Sequence, residues 1–251
     1  MQQTRKNSVY RQVTLICTLS LGAAAFSLSA QEAEKKGWET TAAAGLTLTR
    51  GNSDTFLGTV SLDTSRKWTN DEARLGVSGA YGEANSVRNQ KSVNGYGQYN
   101  RLFNARLYGG LRVDGLYDEI AGIDYRFKVS PLLGYYLIKE EKTSLSLETG
   151  PSVIFERLRG TDQKTYAAIR FGERFEHKLT DTTKLWQTLE YLPQLDRWTE
   201  KYLLIGEVGI DAAITKKVSL RAVFQDMFDN LPAPGRKKND MRLIVGIAYK
   251  F

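Results

Sequence analysis

Met241-Arg242-Leu243-Ile244-Val245-Gly246-Ile247-Ala248-Tyr249-Lys250-Phe251 alternates between two kinds of residue. Met241, Leu243, Val245, Ile247, Tyr249 and Phe251 share one parity, and Arg242, Gly246, Ala248 and Lys250 share the other. Successive side chains of a strand point to opposite faces, so this stretch reads as a strand with one wholly apolar side. The same pattern stands upstream. Leu107–Tyr117 sets Leu107, Gly109, Leu111, Val113, Gly115 and Tyr117 against Tyr108, Gly110, Arg112, Asp114 and Leu116. Tyr125–Leu137 sets Tyr125, Phe127, Val129, Pro131, Leu133, Tyr135 and Leu137 against Arg126, Lys128, Ser130 and Tyr136.

Extended over the chain, the alternation predicts twelve strands, at 38–50, 55–68, 73–84, 92–102, 107–118, 124–138, 143–157, 165–178, 184–193, 202–214, 218–228 and 240–251. Counts of ten or fourteen also fit the pattern. A membrane-crossing strand needs about 9–11 residues, whereas ordinary strands run to about 5–6. The connectors support the same reading. With the first strand running outward, the inner connectors are short: Thr69–Glu72, Phe103–Arg106, Lys139–Lys142, Leu179–Thr183 and Thr215–Lys217. The outer ones are mostly longer: Asn85–Lys91, Glu119–Ile123, Leu158–Lys164, Gln194–Lys201 and Asp229–Asn239, with Gly51–Asp54 a tight exception. Short–long alternation with an even strand count is the habit of bacterial barrels. The expected fold is all-β: a transmembrane antiparallel up-and-down barrel over 38–251, both termini periplasmic, in the bacterial outer membrane.

The start of the chain has a different character. Arg5, Lys6 and Arg11 precede an apolar run, Val13–Leu28, and small residues follow at Ser27, Ser29 and Ala30. That order describes a secretory signal peptide over 1–30, cleaved after Ala30 or Ser29, with 31–37 a short periplasmic segment. Cys17, the only cysteine, lies inside it without the small residues before it that a lipoprotein signal needs. Loss of 1–30 removes three cations and no anion, so the formal charge falls from +7 to +4. That balance, with no dense basic cluster beyond Arg236-Lys237-Lys238, does not suggest a nucleic-acid partner. Mean hydropathy is −0.38, which suits a barrel in which only alternate strand residues meet lipid.

Two features favour lipid over a water-soluble sheet. Apolar faces recur in nearly every segment, as a sheet closed on itself with its apolar side outward requires. Aromatics sit near strand ends on the apolar parity, at Tyr99, Tyr117, Tyr125, Tyr135, Phe155, Phe175, Phe224, Phe228 and Tyr249, where a membrane interface holds them. Glu173 and Asp226 share the apolar parity, near strand ends where a charge costs about 0–1 kcal/mol, or beside a bulge. Gly95 and Gly97 stand where lipid-facing side chains are expected. Tyr249 and the terminal Phe251 resemble the closing and assembly signal of outer-membrane barrels.

Several stretches together carry a family likeness: Gly51-Asn52-Ser53-Asp54, Leu102-Phe103 with Arg106-Leu107-Tyr108, Ala121-Gly122-Ile123-Asp124-Tyr125-Arg126, Leu147-Glu148-Thr149-Gly150-Pro151, Leu179-Thr180-Asp181-Thr182-Thr183 and Tyr249-Lys250-Phe251. Over about 40–251 the chain resembles the salt-induced outer-membrane proteins of the YdiY-like group. The resemblance implies an outer-membrane location and a link to salt or osmotic conditions. It brings no catalytic residues.

The function-bearing candidates are the charges of the inward parity: Arg112, Asp114, Arg126, Lys128, Glu148, Glu156, Arg170, Arg174, Glu190, Glu207, Asp211, Arg221 and Arg242. They either line a narrow pore for small solutes or ions, or pair with one another and fill the interior. Twelve strands fall between a filled eight-strand barrel and a sixteen-strand channel, so size leaves both open. A structural or lipopolysaccharide-binding barrel is the alternative, its longest outer loop carrying Arg236, Lys237 and Lys238. A lipid hydrolase is more remote: the one histidine, His177, has no serine near it in sequence, and Ser219 has the opposite parity. No enzyme activity, cofactor or metal site is expected. The expected partners are outer-membrane lipid, lipopolysaccharide and, during insertion, the barrel-assembly machinery; oligomeric state is left open.

Overall fold

The computed structural model describes residues 37–49 and 55–251. The signal segment 1–30, most of 31–37 and the Gly51–Asp54 connector lie outside the described residues. Twelve strands follow in order: β1 Glu39–Thr49, β2 Thr55–Lys67, β3 Asp71–Ala84, β4 Val87–Leu102, β5 Leu107–Asp118, β6 Ile123–Lys139, β7 Thr143–Leu158, β8 Lys164–Lys178, β9 Thr183–Pro193, β10 Tyr202–Ala213, β11 Val218–Asp229 and β12 Asn239–Lys250. Each pairs antiparallel with the next, and β12 pairs with β1 from Thr41↔Lys250 to Gly45↔Gly246, which closes the barrel. Phe251, just past β12, still donates its backbone N–H to Thr40 O at 3.0 Å.

The alternation explains the wall. On β12, Leu243, Val245 and Ile247 are 64%, 58% and 55% exposed, while Ala248 on the other parity is 1% exposed. The same holds on β6, where Phe127, Leu133 and Tyr135 face out and Arg126, Lys128 and Ser130 are buried. An apolar belt on every strand would be an aggregation surface in water. In lipid it is the low-energy face, and the β1–β12 pairing over Thr41–Gly45 joins the two ends of the sheet. The barrel therefore spans a membrane. Among the described residues, no helix is long and apolar enough to do so.

The structure corrects one connector. The segment Asn85–Lys91 is not a loop: β4 begins at Val87, and only Asn85 and Ser86 link it to β3. Both have positive φ, 50° and 63°, the backbone of a two-residue hairpin turn whose twist matches the strands. A register shift at Gly82/Glu83 takes up the remaining offset, and it is this bulge that hides the strand start from a parity reading. Further shifts lie between Leu116 and Asp118 and at both ends of the β6–β7 pairing. None falls at Glu173 or Asp226, so both charges do face outward.

The end holding the start of β1 and the end of β12 is called here the near end, and the opposite one the far end. Near-end turns are 68–70, 103–106, 140–142, 179–182 and 214–217; the longest far-end connectors are 194–201 and 230–238.

Candidate functional site: the barrel lumen

All thirteen charges assigned to the inward parity face the lumen, as the strand registers place them. They do not spread evenly around it. One side of the lumen is filled, along β5 to β7 and over the middle and far levels of β8 and β9, while Arg174, Glu176 and Lys184 toward the near end of β8 and β9 stay 30%, 24% and 46% exposed; the arc from β12 through β1, β2 and β3 is lined mainly by small residues that solvent reaches.

The filled arc has three levels. Near the near end, Tyr108 and Tyr136 pack 5.1 Å apart beside Leu132. Tyr136 donates its hydroxyl to Glu72 at 2.6 Å and Tyr108 donates to Glu148 at 2.9 Å. In the middle, Glu190 holds Lys128 and Arg170, the latter at 2.6 Å, and Arg170 also reaches Glu148 at 2.8 Å. Arg112 pairs with Asp114 at 2.7 Å and donates to Gln98 at 3.1 Å. At the far level, Ile154, Ala168, Leu192 and Leu203 form an apolar cluster inside the barrel.

Two ion pairs cross the lumen at the far end. Arg126 of β6 bonds Glu156 of the adjacent β7 at 2.7 Å and Asp229 of β11, across the barrel, at 2.6 Å. Lys201, from the β9–β10 connector, also holds Glu156 and lies 4.4 Å over the Tyr166 ring. Arg242 of β12 reaches Asp118 of β5 at 2.7 Å and Ser92 of β4 at 3.0 Å. Charges taken this far from water need this density of partners, because desolvation would otherwise exceed the Coulomb gain. Over the same mouth, the 230–238 connector folds inward: Ala233 is 3% exposed and packs with Ile123 and Leu158. Its Arg236, Lys237 and Lys238 remain exposed.

The other arc is different in kind. Ala43 and Gly45 of β1, Thr59, Ser61 and Asp63 of β2, Ser78 and Ala80 of β3 and Asn94 of β4 face inward yet stay accessible to solvent. The Asp63 side chain is 43% exposed, against 1% for Glu156 and 3% for Arg126. Gly82, Ser92 and Ala248 are buried exceptions along this strip. Around it stand Arg221, doubly bonded to Asp211 at 2.7 Å and 3.9 Å from Asp63, and Glu207, which accepts from Trp186 and Gln225 at 2.8 Å each. Arg174 pairs with Glu176 at 2.6 Å. The large rings are kept to the wall by glycine on the neighbouring strand. Gly209 is in register with Trp186, and a Cβ there would sit 2.0 Å from the indole; one on Gly76 would sit 2.3 Å from Tyr96.

Residues missed by the sequence reading complete these pairs: Asp63, Glu72, Asp118, Glu176, Lys201 and Asp229. Asp63, Asp118 and Glu176 share the inward parity of their expected strands, a signal the sequence carries, whereas Glu72 and Asp229 fall in expected connectors one residue outside the expected strands. Lys201 lies in a connector and carries no such signal. His177 faces outward, its Nδ1 2.9 Å from Thr143 Oγ1 and its ring stacked on Phe175; Ser219 is on the inward face of β11. The fold does not bring them together.

A family profile described as "Protein of unknown function, DUF481" matches residues 42–251. The chain belongs to the DUF481 family. Among solved structures, this DUF481 chain is similar to the NanC porin, at 8% identity and TM-score 0.48, covering 84% of this chain and 96% of that one. It is also similar to the KdgM porin in complex with disordered oligogalacturonate, at 14% identity and TM-score 0.46, covering 84% and 99%. The translocator domain of autotransporter NalP from Neisseria meningitidis gives 16% identity and TM-score 0.41, covering 85% and 87%. Likeness at this level carries nothing about substrate or role. No curated protein matches the sequence significantly. The closed twelve-strand wall with its lipid-facing belt places the DUF481 chain in the bacterial outer membrane, in contact with lipid.

Proposed function

We propose that the barrel is a narrow, off-centre passage for ions and small solutes, running along the β12–β1–β2–β3 arc with its near end in the periplasm. The observation that carries this reading is the contrast between the two arcs. Inward side chains along the β12–β1–β2–β3 arc stay accessible, Asp63 at 43% exposure, while those of the middle and far levels opposite are sealed, Glu156 at 1%. Polar lumen residues of this kind line water in barrels that conduct. Charges of both signs flank the strip, so weak charge selectivity is expected. The near-end turns, all of three or four residues, support the periplasmic assignment. In this reading 1–30 directs export and is removed, and the assembly machinery reads Tyr249 and Phe251 during insertion. The exposed Arg236, Lys237 and Lys238 meet lipopolysaccharide phosphates, and the chain performs no catalytic step. The resemblance to salt-induced proteins supports a role under changing salt.

Two measurements test the passage. Purified protein in planar bilayers should show small conductance steps, and Ser61→Trp or Ala80→Trp should abolish them. Single cysteines at Ser61 and Ser152 should differ in reaction with a membrane-impermeant thiol reagent: Ser61→Cys reacts and Ser152→Cys, at a position 1% exposed, does not. No steps above the lipid background, with Ser61→Cys inert, would overturn the passage. That outcome favours a plugged structural barrel, for which the two cross-lumen pairs and the inward-folded 230–238 connector already speak.

A further inference from the structure

The lipid-facing wall carries a feature that a passage does not use. A groove of about 480 Å³ lies on the outer face across β5 to β9, walled by Leu107, Leu133, Tyr135, Leu147, Phe171 and Leu189. It is an open depression lined mainly by apolar side chains. Thr149 makes the depression: it is the short side chain paired between Leu133 and Phe171.

Glu173 stands in the groove wall, in register with Leu147 on β7 and Leu189 on β9. One of its oxygens accepts from Gln187 Nε2 at 3.0 Å. Among the described residues, no cationic side chain lies within ion-pair distance of it. Glu173 shares a register row with Leu147 and Tyr135 and lies one outward position inside Phe175 on β8, five residues from the near end of that strand. That position, in the near-end half of the strand, lies toward the membrane interface and away from the middle of the wall. A carboxylate beside hydrocarbon, with one amide as its partner, is incompletely compensated. The missing complement is a cation that donates hydrogen bonds.

We propose that this groove is a phospholipid site. One acyl chain lies between Leu133, Leu147 and Phe171, and the ammonium of an ethanolamine headgroup pairs with Glu173. An acyl chain gains little by leaving other acyl chains for apolar side chains. Retention is therefore decided by the headgroup, and it is selective for ammonium over anionic headgroups, which the carboxylate repels. The site lies on the outer wall and does not depend on whether the lumen conducts.

The test is native mass spectrometry of the full barrel released from nanodiscs holding equal phosphatidylethanolamine and phosphatidylglycerol of identical chains. The expected result is one retained lipid with at least about a five-fold preference for ethanolamine. The preference should disappear in Glu173→Gln, which removes the charge with little change of shape, and in Thr149→Trp, which fills the groove. Leu243→Trp, on the lipid face of β12, should keep it and controls for a general effect of a bulky outer residue. A preference that is absent in the parent, or that survives Glu173→Gln or Thr149→Trp, overturns the proposal. So does a dimer cross-linked through Gln187→Cys, since a second copy would then cover Glu173.

Discussion

Replacing Arg126 by Met takes the shared cation out of the far-end crossing. In the parent, Arg126 and Lys201 face Glu156 and Asp229, two charges of each sign, with Arg126 3% exposed and Glu156 1% exposed. The variant leaves two carboxylates and one ammonium in the same space. Breaking a buried pair while its partner stays costs about 3–5 kcal/mol, most of it the unpaired charge. Asp229→Leu leaves the opposite imbalance and should cost a similar amount. The double variant Arg126→Met/Asp229→Leu keeps the Lys201–Glu156 pair in balance, and exchanging a buried ion pair for apolar groups is often neutral or stabilising. Its cost should fall well below the sum of the singles, with a coupling energy of about 2–3 kcal/mol or more. The assay is urea unfolding of the barrel in lipid vesicles, followed by tryptophan fluorescence. Single variants that each cost less than about 1 kcal/mol, or a double variant equal to their sum, would refute the reasoning, since exposed pairs behave that way.

Three further outcomes follow from particular contacts. Glu119, in the far-end turn after β5, receives hydrogen bonds from Lys91 and Arg88, which hold its carboxyl down from 4.5 to about 2. A carboxyl depressed in the folded state contributes stability that is present above pH 4.5 and is lost as pH falls toward about 2. Protection of the 119–122 turn from hydrogen exchange, taken relative to the intrinsic rate at each pH, should therefore fall across that window in the parent and stay flat in Glu119→Gln. Gly209→Ala would set a Cβ 2.0 Å from the Trp186 indole; an overpacking cost of about 1–3 kcal/mol is expected, with a shift in tryptophan emission as the bond to Glu207 is lost. Tyr136→Phe leaves the 5% exposed Glu72 without its 2.6 Å donor, and a loss of about 1–3 kcal/mol in the same urea assay is expected.

Much of the fold could be read from local pattern. Two-residue periodicity in β5, β6 and β12 determines which side chains face lipid, and it placed Arg112, Arg126, Arg242 and the other inward charges on the correct side of the wall. A strand's face depends only on pleating, which the sequence states residue by residue. The start of β4 was not legible, because the two-residue Asn85-Ser86 turn and the bulge beside Gly82 break the parity count where the hairpin folds back. Asp118 closes its expected strand on the inward parity, while Asp229 falls one residue past the expected end of β11, where the pattern gives way to the 230–238 connector.

Parity says nothing about who meets whom across the lumen. Arg126 and Asp229 are 103 residues apart, and Arg242 and Asp118 are 124 apart. They touch only because closure of β12 on β1, together with the register of every pair between, brings β6 opposite β11 and β5 opposite β12. The same closure sets large charged and aromatic groups on one arc and small ones on the other. The sequence by itself determined a lipid-facing wall of alternating strands with a charged interior; closure settled the count at twelve. The tertiary structure alone decided which part of that interior is packed and which stays accessible to solvent, because filling a lumen is a matter of side-chain volumes meeting across space and not of alternation along a strand.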